Sequence, residues 1–118
     1  MRGYRWARVG FWCGVGIITV TSVLPKDALP PVELWDKLLH VLSYAAVAAL
    51  GGAGFGETRT RQFIALGLIT LGALLEVAQI YVPGRFGEFG DVVANTSGVV
   101  AGNAVICLIM RMLRGHTA

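Results

Sequence analysis

Four stretches of this chain run long without lysine, arginine or aspartate: Trp6–Leu24, broken only by Arg8, then Leu38–Phe55, Phe63–Val82 and Val92–Met110. Each approaches the roughly 20 residues that carry a helix across about 30 Å of hydrocarbon at a rise of about 1.5 Å per residue. Composition agrees: of 118 residues, 55% are hydrophobic and 14% charged, where soluble domains carry about a quarter charged. The expected fold is all-α, a four-helix transmembrane bundle with short loops. It forms a single domain over residues 1–118, with helices at about 6–24, 37–55, 62–82 and 91–112.

Arg2, Arg5 and Arg8 before an apolar run resemble the start of a secretory signal. The run ends in TSVLPKDALPP, which lacks a small-x-small cleavage site and is stiffened by proline, so the first segment is expected to stay as a helix. Cys13 and Cys107 both fall inside expected spans and read as small apolar side chains. The net charge of +3 does not point to nucleic acid, because no basic cluster is interleaved with aromatics. Topology accounts for the charge. Seven of the ten basic residues, Arg2, Arg5, Arg8, Arg59, Arg61, Arg111 and Arg114, fall on one side, leaving Lys26, Lys37 and Arg85 on the other. By the positive-inside rule both termini are expected in the cytoplasm, in a multi-pass membrane protein. Five of seven acids, Asp27, Glu33, Asp36, Glu88 and Asp91, then face outward.

Local signals punctuate the spans. PPVELWDK offers prolines and acids at the start of the second helix, and GGAGFG weakens its end. Pro83 and Gly84 stop the third helix, and Asp91 supplies an acid to the first turn of the fourth. Gly98 and Gly102 repeat at a spacing of four, giving that helix a bare ridge on which another backbone can approach closely.

Polar residues converge by spacing. Asp36, His40 and Tyr44 recur every four residues, and Lys37 and Ser43 are each three from His40, so all five can share one helical face. Glu76 and Gln79 share a face of the third helix, Asp91 and Asn95 a face of the fourth, and Arg85 and Glu88 lie in the loop between them. A charge at mid-bilayer costs on the order of 2.5 to 3.5 kcal/mol even on a lenient scale. Glu76, about 9 Å below the end of its expected span, therefore needs a partner, and Arg85, Lys37 and His40 are the candidates. The expected outcome is a polar cluster opening outward, under the loop that follows Val82.

Each residue also has a structural reading. Asp36 and Asp91 can be helix-start acids, Lys37 can extend to the interface, and Asn95 can bridge helices. His40 and Glu76, ionisable and deeper, are the expected functional pair, as a general acid and base. A metal site from His40, Glu76 and Asp91 is not expected, since the sequence has one histidine within the spans and no HxxxH or HExxH spacing. A serine nucleophile using Ser43 or Ser97 is weaker still. No cofactor is expected.

The motifs TSVLPKDALP, DKLLHVLSYAAVAALG and EVAQIYVPGRFGEFGDVVANTSGVVAG together resemble the VanZ-like membrane proteins over nearly the whole chain. That pattern has Asp-Lys-x-x-His at a helix start, then Glu-x-x-Gln, Pro-Gly-Arg and Asp-x-x-x-Asn-x-x-Gly. Carried over by position, its polar signature falls on Asp36, Lys37, His40, Glu76, Gln79, Arg85, Asp91 and Asn95, with Gly98 and Gly102 as the packing pair. The resemblance implies a bacterial envelope protein, and the family's namesake is associated with lowered susceptibility to the glycopeptide teicoplanin. It supplies no reaction.

The expected function is an outward-facing pocket that engages a cell-envelope component such as a lipid-linked precursor. Arg85 and Lys37 would hold an anionic headgroup, His40 and Glu76 would move protons, Asn95 and Gln79 would orient them, and Asp36 and Asp91 complete the ligand-binding set. Two alternatives stand beside it: a non-catalytic accessory module docking another membrane protein, and a small transporter acting as an oligomer. The partners expected are the lipid bilayer and an envelope precursor, not nucleic acid, with oligomeric state left open.

Overall fold

The computed structural model describes residues 3–25, 36–85 and 87–117, apart from the side chains of Asp36 and Thr117. Four helices follow one another: α1 (Arg5–Val23), α2 (Asp36–Gly54), α3 (Thr58–Gln79) and α4 (Phe89–Thr117). Each is long and apolar enough to cross a membrane. Their outer faces carry Trp12, Ile17, Phe63, Leu66, Val100 and Leu108, all more than half exposed. An apolar exterior around every helix suits lipid rather than water.

The helix ends sort into two poles. At one, Lys37 of α2 meets Asp91 of α4, and Arg85, just beyond α3, meets the end of α1. At the other, the Tyr4 amide donates to Ala53 O, and Arg61 near the start of α3 reaches Cys107 near the end of α4. The helices therefore run up, down, up and down. The core between them is built from Phe11 and Ile18 of α1, Tyr44 and Val47 of α2, Leu68 and Leu75 of α3, and Val99 of α4.

The expected close-packing pair is where spacing placed it. A Cβ on Gly98 would run into the carbonyl oxygen of Val41, and one on Gly102 into that of Ala45. Both neighbours are α2 backbone, which cannot swing aside as a side chain can. The bare ridge thus faces inward, and α2 and α4 form the most extensive helix pair of the bundle. Van der Waals fit at this seam holds membrane helices together where no water is excluded.

Three boundaries depart from the expected ones. α3 begins at Thr58, so Arg59 and Arg61 lie in its first turns rather than in a loop. It stops at Gln79, and Ile80–Val82 form a turn in which Val82 N–H bonds Gln79 O and Arg85 N–H bonds Val82 O. Gly84 then adopts a φ of 77°, a left-handed conformation open to glycine at little cost. Glu76 is accordingly in the last turn of α3, nearer the end of its helix than expected. α4 continues to Thr117, because nothing from Arg111 onward breaks a helix until Gly115.

Candidate functional site

The pole formed by the starts of α2 and α4 and the end of α3 gathers five of the expected site residues. Lys37 Nζ lies 2.9 Å from Glu88 Oε2 and 3.1 Å from Asp91 Oδ1. One turn deeper on α2, His40 Nδ1 stands 2.7 Å from Asn95 Oδ1, and its Nε2 is 3.7 Å from Asp91 Oδ2. Glu76, only 5% exposed, accepts the backbone N–H of Glu88 on Oε2 at 3.2 Å. One ligand atom from each of His40, Glu76 and Asp91 lies within 4.8 Å of the others. Lys37, His40, Glu76, Asp91 and Asn95 thus form one constellation from three helices.

Local sequence explains the placement. Asp91 and Asn95 are four apart on α4, so they stack on the face turned to α2, where Lys37 and His40 are three apart. Gly90 leaves room for Lys37, since a Cβ there would stand 3.0 Å from Lys37 Cε. Gly72 does the same on α3, where a Cβ would meet Asn95 Nδ2 and Tyr44 Cε1 at 3.2 Å. Gly87 lets the loop lie against the end of α3, for a Cβ there would meet Glu76 O at 2.5 Å and Ile80 Cγ1 at 2.9 Å. That approach brings the Glu88 N–H to Glu76.

Electrostatics favours a cation here. Glu88 and Asp91 share a single ammonium, that of Lys37, and a third carboxyl, Glu76, is held by the Glu88 backbone N–H. Lys37, by its hydrogen bond and its charge, holds the carboxyl of Glu88 below its ordinary 4.5. With Asn95 Oδ1 as acceptor, His40 carries its hydrogen on Nδ1, which leaves Nε2 facing Asp91. The group can therefore move a proton among imidazole and carboxylates, or bind a positive ion.

Other expected site residues stand elsewhere. Arg85 is not in the cluster: its Nε donates to Leu24 O at 3.0 Å and its Nη2 to Thr21 O at 2.5 Å, at the end of α1. The physical reason is that the last carbonyls of a helix lack intrahelical partners and carry its negative dipole end, and a guanidinium satisfies two of them at once. Gln79 is buried in the last turn of α3 but makes no hydrogen bond to His40, Glu76 or Asp91 among the described residues. The side chain of Asp36 lies outside the described residues. Glu88, Gly72, Gly87 and Gly90 are additions that sequence reasoning did not assign. A glycine immediately before each acid, in GEFGD, was the available signal for two of them.

A cavity of about 340 Å³ lies between α1 and α3, lined by Phe11, Trp12, Val15, Ile64 and Leu71 among others and by none of the cluster residues. Its lining is almost wholly apolar. No protein-family model, curated protein or solved structure matches the chain. Geometry and motif order therefore carry the functional reading between them.

Proposed function

We propose that this chain is an integral membrane protein of the bacterial envelope, VanZ-like in kind, whose polar pole engages a lipid-linked envelope precursor. The observation that carries the reading is the meeting of Lys37, His40, Glu76, Asp91 and Asn95 at one end of a bundle with an apolar exterior. Polar groups in a membrane protein are costly unless they serve a pathway, a ligand or a relay. In this reading the pole faces out of the cytoplasm, because the opposite pole holds Arg5, Arg8, Arg59, Arg61, Arg111 and Arg114. His40 and Glu76 are the pair available for proton transfer, Asn95 orients the imidazole, and Lys37 positions Asp91. Arg85 has no part in holding a headgroup, being engaged at α1. A link to teicoplanin susceptibility belongs to the same proposal. The accessory-module alternative loses its main motivation, since Gly98 and Gly102 face α2 within the bundle rather than a second protein.

The test is to extract the full chain from its bacterial membrane in polymer-bounded lipid discs and identify co-purifying lipids by mass spectrometry. Isoprenoid phosphates should be enriched over the bulk membrane, and at least about tenfold less so with His40→Ala or Glu76→Gln at equal insertion. Equal recovery from all three proteins refutes the reading. Orientation is checked in a cysteine-free background with an impermeant maleimide, which should label Asp27→Cys from outside cells but not Arg59→Cys.

A further inference from the structure

We propose that His40, Glu76 and Asp91 form a binding site for a divalent transition-metal ion, with at least one coordination position left open. The proposal rests on reading this pole as a binding site and goes further by naming what it takes up first. Sequence spacing argued against a metal because the spans hold one histidine and no HxxxH or HExxH pattern puts two ligands on one helix. The fold removes that objection by bringing one ligand from each of three helices, with their donor atoms within 4.8 Å. Two ligands about 2.1 Å from a tetrahedral ion stand about 3.4 Å apart, so modest side-chain movement closes the set.

The histidine gives the sharper argument. Asn95, 2% exposed, accepts from His40 Nδ1, and the lone pair of Nε2 then faces the Asp91 carboxylate. In a neutral ring these two acceptors call for positive charge between them, supplied by a second proton on Nε2 or by a bound cation. At 3.7 Å they are too far apart for a direct hydrogen bond, which needs about 2.7 to 3.2 Å, but the gap suits an ion bridging both.

Charge points the same way. Lys37 is engaged by Glu88 and by Asp91 Oδ1, which leaves Asp91 Oδ2 free to bind. Among the described residues no lysine or arginine lies within ion-pair distance of Glu76, buried though it is. An unpaired buried carboxylate is costly, and a divalent cation offsets that cost.

Each ligand also has the supporting contact that resident metal sites display. Asn95 fixes the ring of His40, the Glu88 N–H holds Glu76, and Lys37 holds Asp91. One imidazole nitrogen with two carboxylate oxygens suits Zn2+ or Mn2+ better than a soft or an all-oxygen ion. Three protein ligands leave room for a further oxygen, such as one from a phosphate.

The experiment uses the full chain in detergent, stripped with a chelator and titrated with Zn2+ and, separately, Mn2+. Bound metal is counted by mass spectrometry after desalting, and affinity is measured calorimetrically. One ion per chain is expected. His40→Ala, Glu76→Gln and Asp91→Asn should each lower retention at least about tenfold, and Asn95→Ala should weaken affinity about 10- to 100-fold. Cys13→Ala/Cys107→Ala and His116→Ala should bind as the parent does, with circular dichroism confirming the helices throughout. X-ray absorption on the Zn2+-loaded parent needs no variant and should show nitrogen and oxygen neighbours with an imidazole signature. A sulfur shell, unchanged retention in the three ligand variants, or no uptake of either ion overturns the proposal, the last meaning that Nε2 holds a proton instead. Lipid recovery is a separate readout: metal bound without isoprenoid phosphate sinks the proposed ligand alone, and the reverse sinks the metal alone.

Discussion

His40 of α2 and Asn95 of α4 are joined by a single contact of 2.7 Å between Nδ1 and Oδ1, beside the seam where Gly98 meets the backbone of Val41. The contact couples helix association to the orientation of the imidazole. Hydrogen bonds between membrane helices average about 0.6 kcal/mol and reach about 1.7 kcal/mol. A double-mutant cycle of His40→Ala and Asn95→Ala, read by unfolding in mixed micelles, should give a coupling of that order. Additive single effects would mean the two side chains do not meet.

Gly98→Val and Gly102→Val should destabilise strongly. Overpacking costs about 1 to 3 kcal/mol where neighbours can shift, and the neighbours here are the carbonyls of Val41 and Ala45. Gly16→Ala and Gly67→Ala are the controls, since nothing lies within 4 Å of a Cβ at either position. These should be neutral or stabilising by up to about 1 kcal/mol, from helix propensity. Thermal midpoints in one detergent compare all four.

Arg85→Ala should loosen the tie between the α3–α4 loop and α1 without emptying the polar site. Hydrogen bonds to a charged group contribute about 1.5 to 3 kcal/mol each when buried, and partial exposure here brings the expected loss to about 1 to 3 kcal/mol. Zn2+ affinity should stay within about twofold of the parent. A larger loss of affinity would return Arg85 to the site.

The Lys37–Glu88 pair predicts a pH dependence. The carboxyl of Glu88 titrates below its ordinary 4.5 because Lys37 binds its ionised form. A group lowered in the folded state contributes stability above its unfolded value and loses it as pH falls through the folded one. Glu88→Gln should therefore melt below the parent at about pH 7, and the gap should shrink as pH falls below 4.5 and through the lowered folded value. A deficit of constant size across that range would assign the effect to packing.

The helices were legible because lipid demands long apolar runs, and Gly98 and Gly102 because a spacing of four marks one ridge. The end of α3 was not. Ile80, Tyr81 and Val82 are as apolar as the helix they follow, and only the bonds of the turn show that it has already stopped. Most of the cluster was legible from helical spacing. Arg85 was misplaced because a loop arginine beside acids has a second option, the carbonyls of α1, which lie more than sixty residues earlier in the chain. Glu88 escaped assignment because half its role is a backbone N–H, which no side-chain pattern reveals.

Arginines close the helix ends at both poles: Arg8 and Arg61 on Gly54 O and Gly56 O, Arg85 on Thr21 O and Leu24 O. Arg8 near the start of α1 and Arg85 at its end mark two levels along a helix whose 19 residues measure about 28 Å. Because those charges resist entering hydrocarbon, a bilayer much thicker than that would have to thin around the bundle, whereas a thinner one could be met by tilting. Acyl-chain length is therefore a physical variable to which this protein should respond, sitting best in membranes whose apolar depth equals the separation of its two arginine tiers.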